Sequence, residues 1–177
     1  MPSLRRPLRA SSFQSRVVFE PVFKLRTFGR SPALNETILC ALLEALTRIN
    51  VAAMREFRVP PIYRAGLVYQ REPLCRYCEE WRDCLSVIEH GGGDCEDLAC
   101  YRAAELQLQG VRARPYVRKP RLLPNNVLLY HIQVEWPDGR IEDPSAVLGM
   151  GRIVPHVFGP SIRTAGTGRR LRVGCDA

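Results

Sequence analysis

The stretch VLLYHIQVEWPDGRIEDP (127–144) restricts the fold more than any other part of the chain. Residues 127–136 are rich in β-branched and aromatic side chains and read as a strand. Pro137–Gly139 read as a turn, and residues 140–144 as the returning strand. So short a connection joins antiparallel strands only. Along the first strand Leu129, His131, Gln133 and Glu135 share one face. Tyr130, Ile132, Val134 and Trp136 share the other, which is the better core face. A three-residue loop sets Trp136 opposite Arg140 and Gln133 opposite Asp143, which makes Asp143 a diagonal neighbour of His131. A loop one residue longer or shorter would send Asp143 to the opposite face.

Helical signals come earlier. Residues 31–57 repeat apolar positions at three- and four-residue spacing (Leu39, Leu42, Leu46, Ile49, Ala53), with Ser31 or Asn35 to cap the start. A short helix is expected at about 78–89, broken by Gly91–Gly93. A third runs from Cys95 to Gln109 and stops at Gly110. Asp94 stands at its N-cap and Asp97 three residues later, in the manner of a capping box. Residues 111–119 are a strand candidate. Residues 59–73 read as irregular, and 16–26 as extended, with Pro21 restricting them to an edge strand or arm. Helices followed by an antiparallel sheet predict an α+β fold, helices packed on a small antiparallel sheet.

The chain has 177 residues, 46% of them hydrophobic, enough for one core. No unbroken apolar run approaches the roughly 20 residues of a membrane span, so no membrane partner is expected. The basic start lacks the apolar region of a secretory signal. Residues 1–30 carry seven basic and one acidic side chain, and residues 151–177 carry five and one, whereas the middle is near neutral. Basic ends suit contact with acidic protein surfaces or nucleic acid, or remain solvated tails.

Seven cysteines and no signal point to free thiols in a reducing compartment. Cys95 lies in GGGDCEDLAC (91–100), where a helix start favours thiolate and the neighbouring acids oppose it. Gly91–Gly93 keep side chains away, which lets a substrate carbonyl approach the backbone. A nucleophilic thiol also needs a base held by a third group. His131 with Asp143 meets that need if their strand crosses the helix start. The plainer readings are a packed thiol at Cys95, a structural strand histidine at His131, a turn-opening Asp143 and a glycine linker. A metal reading rests on Cys75-x-x-Cys78 with Cys84, completed by His90 or Cys95.

GGGDCEDLACYRAAEL, LLYHIQVEWPDG and IEDPSAVLGM together resemble the transglutaminase-like branch of the papain-like thiol enzymes, and more narrowly small transglutaminase-like proteins encoded by bacteriophages. The likeness covers roughly residues 16–150. It implies a papain-like, transglutaminase-like core flanked by a flexible basic arm (1–15) and a basic Gly/Arg-rich extension (151–177). It further implies Cys95 as nucleophile, His131 as base and Asp143 as orienting acid, with Trp81 lining the site or helping the oxyanion position. The expected activity is acyl transfer on protein or peptide amides, as peptidase, deamidase or crosslinker, without a cofactor. The expected setting is the host cytoplasm or the virion, with phage structural proteins as partners. The same fold as an assembly component with weak or no catalysis is the alternative, and a zinc module through Cys75, Cys78 and Cys84 is the second.

Overall fold

The computed structural model describes residues 6–7, 31–71, 80–123 and 128–151. Most of the basic arm, the extended segment 16–26, almost all of the C-terminal extension, Cys75 and Cys78 lie outside the described residues. The rest combines helices with small sheets, an α+β arrangement.

Helix α1 (Pro32–Glu56) begins where Ser31 accepts the Leu34 N–H, with proline in the first turn. Its buried face is Asn35, Leu43, Leu46, Thr47, Asn50 and Met54, rotated from the purely apolar stripe, and Ile49 is 53% exposed. Two polar side chains explain the rotation. Thr47 Oγ1 donates to the Leu43 carbonyl at 2.8 Å, and Asn50 Oδ1 accepts the Cys84 N–H at 2.7 Å. A buried polar group with a partner is tolerated, so both turn inward. By length and composition α1 would be able to cross a membrane. Here its inner face packs against helix α3 (Cys95–Leu108), where Leu43 and Leu46 join Ala99, Cys100, Ala103 and Leu106.

Helix α2 (Cys84–His90) starts later than the periodicity predicts, because Asp83 caps it by accepting the Ser86 N–H at 2.8 Å. Gly91 closes it in the left-handed region at φ 74°. Gly92–Gly93 then form strand β4, parallel to β3 (Val68–Tyr69). Gly92 and Gly93 serve this packing rather than leaving the backbone open to a substrate. A Cβ on Gly92 would lie 2.1 Å from the Val68 carbonyl oxygen, and one on Gly93 2.7 Å from Asp97 Oδ2. Another short parallel pair joins β1 (Arg6–Pro7) to β2 (Phe57–Arg58).

The main sheet is antiparallel, in the order β5 (Arg114–Leu122), β6 (Leu128–Glu135), β7 (Ile141–Glu142). Val134 pairs with Glu142 and Glu135 with Ile141, and the Trp136 N–H donates to the Arg140 carbonyl. That is the register of a three-residue loop. Val117, Ile132 and Val134 face inward onto α1 and α3. A four-residue helix, α4 (Pro144–Val147), follows β7 directly.

Candidate active site

Cys95 is the first residue of α3, half-buried against the core cluster that contains Ile132. The backbone N–H of Ile132 lies close enough to its sulfur to favour the thiolate. The thiol therefore lies at the His131–Ile132 peptide, and strand β6 does cross the start of α3. Opposing effects are larger. Burial pushes the thiol far up, and the adjacent Glu96 adds to this, accepting the Sγ–H at 3.1 Å. At rest the thiol is neutral.

His131 Nε2 meets Asp143 Oδ2 at 2.8 Å. That oxygen also accepts from Gln133 Nε2 at 3.1 Å, while Oδ1 caps α4 by accepting the Ala146 N–H at 3.1 Å. Asp143 is thus both the turn-opening cap and the histidine's partner. Its carboxyl is half-buried, yet bonds from His131, Ala146 and Gln133 hold it below the usual carboxylate range. With Nε2 committed, Nδ1 is the ring atom left to accept a proton.

The acids beside Cys95 are not simple caps. Asp94 occupies the N-cap without a capping bond from its side chain. Asp97 Oδ1 instead accepts the Arg82 N–H at 2.7 Å and ties the segment before α2 to α3. Burial pushes the Asp97 carboxyl up to about 7, against the backbone N–H groups of Arg82 and Asp94. Trp81, next to Arg82, packs half-buried on the same core cluster as Cys95.

Two features near Cys95, His131 and Asp143 carry no periodic or motif signal. Burial, with the negative Asp94 and Glu96 nearby, raises the Tyr69 phenol to about 12. It arrives through the β3–β4 pairing, which joins distant parts of the sequence. Glu142, the residue before Asp143, accepts from Arg102 Nε at 2.7 Å, from Trp136 Nε1 at 2.8 Å and from the Tyr63 hydroxyl. The Arg102 guanidinium lies 5.2 Å from the Tyr63 ring centre. This cluster anchors β7, and with it Asp143, to α3.

Among the described residues no three His, Cys, Asp or Glu side chains gather in a metal-holding group. Cys84 is buried in the second core cluster, and burial pushes its thiol to about 12. The exposed His90 ring bonds through Nδ1 to the Ser86 carbonyl at 2.8 Å. A groove of about 500 Å³ between α1 and the start of β5, bordered by Cys40, Arg48 and Arg114, includes none of the three site residues. Comparison with protein families, characterised proteins and solved structures returned no match.

Proposed function

We propose that the chain is a transglutaminase-like cysteine enzyme catalysing thiol-dependent acyl transfer on a protein or peptide amide. The supporting observation is one juxtaposition: the Cys95 sulfur sits at the His131–Ile132 peptide, and the ring of that histidine is held by Asp143 at 2.8 Å. His131 accepts the thiol proton at Nδ1 as the sulfur bonds to the amide carbonyl carbon. Helix α3 offers its first N–H groups, which no carbonyl within the helix can take, to the developing oxyanion. Collapse breaks the C–N bond, and His131 returns the proton to the departing amine. Water or a second amine then attacks the thioester, passes its proton to His131, and the thiol reforms.

The test is the rate of iodoacetamide labelling at neutral pH, resolved by cysteine. His131→Ala slows labelling of Cys95 by roughly a hundredfold, the size of one proton-transfer contribution, and leaves the exposed Cys40 unchanged. A Cys95 rate that His131→Ala leaves unchanged refutes the reading.

One observation favours a second reading. The thiol is half-buried and held neutral by burial and Glu96. This suits a phage assembly component that keeps the fold with weak catalysis. In that case Cys95→Ala preserves biological function, which the acyl-transfer reading forbids.

A further inference from the structure

The outer face of the β5–β6 ribbon carries His131 in a row of cross-strand pairs. Arg114 stands opposite Glu135, Tyr116 opposite Gln133, and Arg118 opposite His131. Val117 between them is buried, so Arg118 and Tyr116 turn outward, onto the same face as His131. The register then shifts between Arg118 and Arg121, which puts Arg121 opposite Leu129. A bulge here re-aims the strand beside the histidine.

Directly opposed residues hold their Cβ atoms about 5 Å apart, so the Arg118 guanidinium reaches any group seated on His131. The cations differ in their commitments. Arg114 is paired with Glu135 at 2.6 Å, whereas among the described residues Arg118, Lys119 and Arg121 make no ion pair. Pro115 and Pro120 lie on this strand, which is an edge of the sheet and is covered by no further strand among the described residues. The result is an exposed, uncompensated positive strip that begins at the histidine.

We infer that the acyl donor is an acidic polypeptide, with an Asp or Glu carboxylate next to the scissile amide held by Arg118 and a following acid held by Arg121. A guanidinium pairs a carboxylate through two parallel hydrogen bonds, which fixes orientation as well as charge. Nucleic acid would also satisfy the charge, but it offers no peptide amide to the thiol. The inference rests on the acyl-transfer reading of Cys95 and His131.

The experiment uses the full chain and two peptidyl chloromethyl ketones, identical except for Asp or Ala beside the electrophile, with labelling of Cys95 followed by mass spectrometry. At low salt the Asp probe labels about tenfold faster, the worth of one charge-assisted hydrogen bond. The preference shrinks as salt screens the exposed pair. Arg118→Gln brings the ratio of the two rates near one, and Arg118→Glu inverts it in favour of the Ala probe. Equal labelling by both probes, or a ratio unmoved in Arg118→Gln, overturns the inference and leaves the triad standing. No labelling of Cys95 by either probe overturns the acyl-transfer reading and the inference with it. Protection of Cys95 by a single-stranded oligonucleotide but not by an acidic peptide overturns the choice of polypeptide.

Discussion

Asp97 gives a test of how the start of α3 is built. It is fully buried, and its carboxyl loses its proton only at about 7. In the unfolded chain an aspartate ionises near about 3.9. Between those limits the unfolded chain binds fewer protons than the folded one, so stability falls as pH rises from about 4 to about 7 and is level above that. A separation of this size corresponds to a loss of about 4 kcal/mol at most. Asp97→Asn keeps Oδ1 to accept the Arg82 N–H and cannot ionise. The amide nitrogen takes the place of Oδ2, a buried atom with no hydrogen-bond partner. The variant should therefore resemble the parent near pH 4.5 and gain on it by about 2–4 kcal/mol at pH 7.5. Glu142 and Asp143 are held below the usual carboxylate range, so their stabilising contributions are full above about pH 4 and lost only as pH falls further. They do not blur the window. Urea unfolding of both proteins at half-unit steps from pH 4.5 to 7.5 is the assay. Curves that stay parallel within about 0.5 kcal/mol, the scatter of an ordinary surface change, would show that Asp97 ionises normally and that its burial costs nothing.

Three further outcomes follow from the same geometry. Gly92→Ala pushes a methyl carbon into the Val68 carbonyl and should cost about 3 kcal/mol in urea unfolding. Gly91→Ala meets no atom within 4 Å and strains only a left-handed φ of 74°, so it should cost about 1 kcal/mol; the reverse order would discredit the β3–β4 pairing. Glu96→Gln removes a negative charge and an anionic acceptor from the thiol, which lowers the Cys95 pKa. Labelling at pH 8 should accelerate severalfold, opposite in sign to His131→Ala, and an unchanged rate would show that Glu96 does not restrain the sulfur.

What the sequence disclosed depends on the range of the interaction concerned. The β6–β7 hairpin is local. Alternation plus a three-residue turn settles its register, and so brings Asp143 to His131. The start of α3 at Cys95 and the Ser31 cap of α1 are local too. The face that α1 buries is not, because Thr47 and Asn50 turn inward on account of bonds that hydropathy cannot weigh. Asn50 finds its partner at Cys84, 34 residues away. Tyr69, Arg102 and Glu142 escaped notice for the same reason, since each acquires its role from a contact between separate elements.

The glycines and acids around Cys95 are the instructive case. As isolated letters, three glycines suggest room for a substrate, and three acids suggest caps. In the fold Gly92 and Gly93 are filled by the chain's own carbonyl and carboxylate, and the acids divide their work. Asp97 secures Arg82, and Glu96 restrains the thiol. The stretch therefore builds a rigid, shielded sulfur rather than an open one. On the acyl-transfer proposal, reaction at such a sulfur displaces the Glu96 hydrogen bond and moves the thiol proton to His131. On the same proposal only a group bound close to His131 gains from that exchange, so selectivity would fall to whatever holds the substrate on the β5–β6 face, where Arg118 stands opposite the histidine.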